Sequence, residues 1–165
     1  MRTWNLLLAV VFAASCSGGN DSADPLQDLS KHASTLRLET IAHGERIAGM
    51  TSPDQIPGEE SDHHQMAGHL AGDMHHDMEH MEQMGGMGGF CGDAAGPMHD
   101  LMDDVEYECE LHFAEMHGAA DMPAAHLEEM RHQNAMGDRL DEIEAMHDAM
   151  AEEGCGGGGG GNMHD

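Results

Sequence analysis

The chain has 165 residues, room for one small domain, and carries 32 acidic against 6 basic residues, a formal charge of −26 at pH 7. A polyanion of this size repels phosphate backbones and anionic membrane surfaces, so no nucleic-acid partner is expected, and it attracts cations. Aromatic residues make up only 3%, while 17 methionines and 15 histidines lie far outside ordinary usage. The core must therefore be built from Met, Leu, Ala and Ile, and the Met/His excess needs a cause.

Residues 1–15 read as a signal peptide: Arg2 gives a weakly basic start, and Leu6 to Ala14 form an apolar run too short to span a bilayer. The run ends in Ala13-Ala14-Ser15-Cys16, followed by SGGNDSADP. This stretch resembles the lipobox of bacterial lipoproteins, although Ala13 stands where leucine is commoner. The resemblance implies that Cys16 carries the lipid and becomes the mature N-terminus. It also implies attachment to a membrane through that anchor. Ser17 in place of Asp favours the outer membrane of a bacterial envelope, facing the periplasm or the cell surface. An ordinary secretory signal with an unmodified cysteine is the alternative. Residues 16–25 are then a lipidated polar tether.

Four helices follow, and the spacing of apolar residues predicts an all-α fold. Leu26, Leu29, Leu36, Ile47 and Met50 recur at helical spacing, and Gly49 ends the first helix. Ser52, Pro53 and Gln55 look like an N-cap, a first-turn proline and a capping-box partner. The second helix should run to about Met84, with Pro57-Gly58 kinking or fraying its first turns. Residues 85–97 read as a glycine-rich linker. A third helix runs from Met98 to His117 and stops at Gly118. Asp121 caps a fourth, with Pro123 in its first turn, ending near Glu153. Residues 154–165 are a glycine-rich tail expected to be flexible and disordered.

Shifting the chain by 69 residues lays one template on another. Glu39, His43, Glu59-Glu60 and His63 fall on Glu108, His112, Glu128-Glu129 and His132. Gly49 falls on Gly118, Ser52 on Asp121 and Gly68 on Gly137. A duplicated helical hairpin, residues 26–84 and 98–153, would pack as an antiparallel four-helix bundle.

At 100° per residue each helix sorts into faces. In the methionine-rich tract DMHHDMEHMEQM (73–84) the thioethers suggest copper ligands. On a helix, however, Met66, Leu70, Met74, Met78, Met81 and Met84 share one core stripe, where methionine is usually a space-filler. His69, His76 and His80 lie on the flank as a secondary site, while His64 and His75 face solvent. The repeated residues behave differently. His43 and His63, His112 and His132, and Glu129 fall inside core stripes, with Glu39, Glu60 and Glu108 at their edges. Acids aimed at a core are costly unless paired or metal-bound. Counting from the turns puts His43 level with Glu60 and His112 level with Glu129, so two packed hairpins gather four His and four Glu inside the bundle.

This arrangement resembles the ferritin-like carboxylate proteins, whose bundles hold two metal ions with one Glu from each of two helices and a Glu-x-x-His from each of the other two. Glu60 with His63 and Glu129 with His132 match the paired motif, and Glu39 and Glu108 match the single glutamates. His43 and His112 are extra, the repeat separation is short, and Pro57 disturbs the second helix, so oxidase or ferroxidase chemistry is not implied. A buried Glu–His hydrogen-bond network without metal is the alternative reading.

The second and fourth helices run parallel, so Cys91 and Cys155 should meet at one end of the bundle and form a disulfide in an oxidising compartment. Cys109 is left unpaired on the core face as a small hydrophobe or, if reduced, a soft secondary ligand. The expectation is an envelope lipoprotein that binds, buffers or relays a transition metal, copper first, with zinc, nickel or iron as competitors. A ferritin-like metal-dependent oxidoreductase and a structural or interaction lipoprotein without metal are the alternatives, and an enzyme is the less favoured of these readings. No Ser–His–Asp arrangement, phosphate loop or basic groove supports a hydrolase or nucleotide enzyme.

Overall fold

The structure, a computed structural model, describes residues 24–84 and 89–155. The expected signal peptide, Cys16 and nearly all of the tether and tail lie outside the described residues. Among those residues the chain forms α1 (Pro25–Ala48), a 3₁₀ turn (Pro53–Gln55), α2 (Ile56–Gln83), α3 (Phe90–His117) and α4 (Met122–Glu152). Each helix packs on two neighbours, α1 on α2 and α4, and α3 on α2 and α4. Consecutive helices joined by short turns in this cyclic order are an up-down-up-down antiparallel four-helix bundle.

The starts and stops follow local chemistry. Asp24 accepts from the Leu26 N–H at 3.1 Å ahead of Pro25. Gln55 takes the N–H groups of Thr51 and Ser52 at 3.1 and 3.2 Å, completing a capping box around Ser52. Asp121 accepts from Ala124 N–H at 2.9 Å. Pro57 sits in the first α-helical turn after the 3₁₀ turn, where its missing N–H has no partner to lose, and α2 runs unbroken from Ile56 to Gln83.

The expected linker is shorter than its composition suggests. Residues 90–97 belong to α3, which starts at Phe90 and carries Pro97 inside it. Cys91, Ala94, Ala95 and Met98 keep the core periodicity across this stretch and are buried. Packing there outweighs the one helical hydrogen bond that Pro97 cannot make. At the other terminus of this hairpin, Gly154 adopts φ +76°. Gly154 N–H bonds Ala151 C=O at 3.1 Å and Cys155 N–H bonds Met150 C=O at 2.9 Å, a Schellman closure that turns the chain back onto the bundle end. Cys155 is thereby disulfide-bonded to Cys91, with a Cα–Cα distance of 5.8 Å.

Two apolar clusters fill the interior. The larger contains Leu29, Leu36, Leu70, Met74, Met78, Met81, Met98, Met102, Met136, Leu140, Ile143 and Met150. Met66 and Met84, expected in the stripe, are each 49% exposed. Ala67 takes the inward position beside Met66, and Met84 is the cap residue beyond the last helical turn. The smaller cluster, at the end holding the two hairpin turns, is Ile47, Ile56, Met116 and Ala125. These are two pairs related by the same 69-residue shift. Between the clusters lies a polar layer.

Candidate metal centre

Four side chains, one from each helix, converge in that layer: His43 of α1, Glu60 of α2, His112 of α3 and Glu129 of α4. All are buried, with residue exposures of 0, 0, 1 and 5%, and their ligand atoms lie within 4.8 Å of one another. His43 Nε2 is 3.0 Å from Glu60 Oε1 and 3.3 Å from Glu129 Oε2. His112 Nε2 is 3.4 Å from Glu60 Oε2 and 3.3 Å from Glu129 Oε2. The two Nε2 atoms are 3.4 Å apart.

These contacts are close but poorly directed for hydrogen bonding. Neither oxygen of Glu60 nor of Glu129 accepts an aligned hydrogen bond, although all four oxygens are shielded from solvent. A tetrahedral ion with bonds of about 2.0–2.1 Å separates its ligands by about 3.3 Å; the two Nε2 atoms and Glu129 Oε2 lie 3.3–3.4 Å from one another, and Glu60 meets His43 through Oε1 and His112 through Oε2.

A second layer stacks on the first. His63 lies face to face with His43, and His132 with His112, both at 3.9 Å between centroids and 11° between planes. His63 and His132 bring their own Nε2 atoms to 3.4 Å. On the outer side, every ring nitrogen Nδ1 meets a carboxylate. His43 faces Glu59 at 3.2 Å and His112 faces Glu128 at 3.4 Å. His63 faces Glu39 at 3.5 Å and His132 faces Glu108 at 3.2 Å. For His43, His112 and His132 the carboxylate hydrogen-bonded to Nδ1 fixes the imidazole tautomer so that Nε2 faces inward, the usual support of a metal-bound histidine, whereas His63 Nδ1 approaches Glu39 without an aligned hydrogen bond.

The outer carboxylates are themselves clamped. Arg46 bridges Glu39 and Glu59, and Arg131 bridges Glu108 and Glu128, the latter pair at 2.9 and 2.6 Å. The clamped glutamates obey the 69-residue repeat, but the arginines do not: one comes from α1 and the other from α4. Nothing in the repeat could have identified them. Glu59 and Glu128, by contrast, are carried by the Glu-Glu pairs of both copies.

Electrostatics divides the two layers. Burial alone would push the His43 and His112 imidazoliums down, but contacts with Glu129 and Glu60 outweigh it and raise them to about 10 and about 9. Burial would likewise raise the two carboxyls, yet the same histidines hold Glu60 at about 2 and Glu129 well below the carboxylate range. His63 is driven down to about 3 by burial and by the charges of His43, His132 and His112. His132 is also lowered, burial outweighing its bond to Glu108. The directions of these shifts favour, without a metal, a quartet of two imidazoliums and two carboxylates that is neutral overall. Two protons and one divalent ion bring the same charge to the same atoms, so a dication can replace the protons without leaving net charge in the core.

Close packing of α1 on α4 makes room for the quartet. A Cβ on Gly44 would meet Gln133 Nε2 at 1.5 Å and Glu129 Oε1 at 2.8 Å. Glu39 and Glu108 do not join the four converging ligands; they hold the second-layer histidines from outside. Cys109 is buried and unpaired, its thiol pushed up to about 12 by burial and by Glu108, Glu106 and Glu110, so it stays a neutral core residue. His69, His76 and His80 are exposed on α2 and are not brought together as a metal-binding group among the described residues. His32 of α1 is half-buried and bonds Asp77 of α2 at 2.8 Å. No family model, curated protein or solved structure matches the chain, and the reading of this site rests on its geometry.

Proposed function

We propose that this chain is a lipid-anchored protein of a bacterial envelope that binds and buffers a divalent transition-metal ion in the bundle interior. His43, Glu60, His112 and Glu129 hold the ion; His63, His132 and the clamped glutamates position them. The observation that carries this reading is the set of five ligand–ligand distances of 3.0–3.4 Å around carboxylates that accept no directed hydrogen bond.

The donor set narrows the ion. Methionine sulfurs favoured copper at first sight, but Met74, Met78, Met81, Met98, Met102 and Met136 are core residues packed on other apolar side chains. An imidazole–carboxylate set at tetrahedral spacing suits Zn(II) best, with Cu(II), nickel and iron behind it. Four buried protein ligands also leave no evident position for a substrate, which favours holding an ion over turning one over. The charge of −26 concentrates cations around the bundle. No described helix is long and apolar enough to cross a membrane; attachment rests on the lipobox resemblance at Cys16.

Metal analysis of protein taken from its native envelope, with stoichiometry, tests the metal. One tightly held ion per chain, lost in a Glu60→Gln/Glu129→Gln variant that remains helical, is the expected result. Full metal content in that variant would sink the interior site. A Cys16→Ser variant that still fractionates with membranes would remove the anchor.

A further inference from the structure

Among the described residues, a second pair of histidines from two helices meets at the surface. His75 of α2 and His99 of α3 bring their Nδ1 atoms to 3.2 Å, with rings nearly parallel at 19°. Their other nitrogens face carboxylates. His75 Nε2 lies 3.4 Å from Asp103 and 3.8 Å from Glu106, and His99 Nε2 lies 3.5 Å from Glu82. As with His63 and His132, equivalent nitrogens face each other at a ligand-to-ligand spacing, although here the rings are nearly parallel where those of His63 and His132 stand at 83°, and carboxylates lie close behind each ring.

We infer that His75 and His99 form a second transition-metal site, an exposed clip that bridges α2 and α3 through their Nδ1 atoms. Two imidazoles select a transition ion over Mg²⁺ or Ca²⁺, which take oxygen ligands. The side chains are 23% and 29% exposed, so water completes the coordination and the ion exchanges with solvent. Asp103 and Glu106 also border an open groove where Ala67, Gly68 and Ala71 leave space between the helices. An ion arriving at this acidic surface thus meets a weak, accessible site before any buried one. The assignment does not depend on the interior quartet being occupied.

Calorimetric titration of the full chain with Zn(II), disulfide intact, tests it. Two classes of site are expected. His75→Gln and His99→Gln should each weaken the looser step by about tenfold or more, the double variant should be no worse than either, and Asp103→Asn should weaken it about tenfold. His76→Gln, a neighbour on the exposed side of α2, should change nothing. A parent without the looser step, a looser step surviving His99→Gln, or one lost with His76→Gln would overturn the bridge. Loss of the tight step alone in Glu60→Gln/Glu129→Gln, with the looser one retained, supports two separate sites. A parent showing only the looser step, lost with either His75→Gln or His99→Gln, keeps this site and removes the interior one.

Discussion

His43 and His112, 69 residues apart, face each other with Nε2 atoms at 3.4 Å, and each turns its opposite nitrogen to a glutamate of the neighbouring helix. The pair relates the two halves of the bundle, and both halves contribute one carboxylate to it. Removing one histidine strands the buried negative charge of Glu60 and Glu129. His112→Leu should destabilise the metal-free protein by about 3–5 kcal/mol, the usual cost of breaking a buried ion pair from one side. Urea melts with chelator present measure it. A cost under about 1 kcal/mol, the surface-pair range, would mean the quartet is uncharged or hydrated.

Stability of the metal-free protein should peak near pH 6.5. Glu60, held at about 2 from 4.5, adds stability that is complete above pH 4.5 and lost as pH falls through 2. His43 and His112, raised from 6.5 to about 10 and about 9, add stability that is complete below pH 6.5 and lost as pH rises through 9 to 10. His63, lowered from 6.5 to about 3, opposes folding as pH falls across that interval. Thermal melts from pH 3 to 10 should trace this dome. A flat response between pH 7 and 10 would argue against protonated His43 and His112.

The same protons compete with the metal. Binding should release close to two protons at pH 7 and tighten as pH rises, because both imidazoliums must deprotonate to become ligands. Calorimetry in buffers of differing ionisation enthalpy counts them. Bound metal should also flatten the alkaline limb of the stability dome, since its ligands are then already deprotonated. Zinc at 100 times its dissociation constant adds about 2.7 kcal/mol. Proton release near zero would place the ion elsewhere.

Much of this centre is legible in the sequence because duplication repeats it. Glu60, Glu129, His43 and His112 stand out as polar residues at core positions in two copies, and the hairpin turns fix their heights. The supports are less visible. Arg46 and Arg131 reach equivalent glutamates from inequivalent helices, so no repeat marks them. The His75–His99 contact depends on how α2 meets α3 across the hairpins, and helical periodicity within either segment cannot supply that. The start of α3 was hidden because glycine and Pro97 read locally as linker, whereas buried Cys91, Ala94 and Ala95 decide it through packing.

Arg131 offers a test of support separated from stability. Its side chain is 40% exposed, so Arg131→Met should change folding stability by no more than about 1 kcal/mol. Glu128 and Glu108, freed from the clamp, would hold His112 and His132 less firmly, and metal affinity should fall about tenfold. Arg46→Met should do the same through Glu59 and Glu39. Unchanged affinity in both variants would reduce the arginines to surface ion pairs.

The Cys91–Cys155 bond lies at the end of the bundle opposite the hairpin turns, whereas His43 and His112 each sit six residues from Gly49 and Gly118. It closes a loop of 64 residues, and by the chain-entropy relation reduction should cost about 4 kcal/mol. The loss should concentrate in the first turns of α3 and the last turns of α4, where Gly89 and Gly154 already depart from helix. Hydrogen exchange should therefore quicken there on reduction while the amides around His43, Glu60, His112 and Glu129 stay protected. Metal stoichiometry of the reduced, still-folded protein should be unchanged. If reduction released the ion, the quartet would depend on the closed end of the bundle, and the site would respond to the redox state of its surroundings.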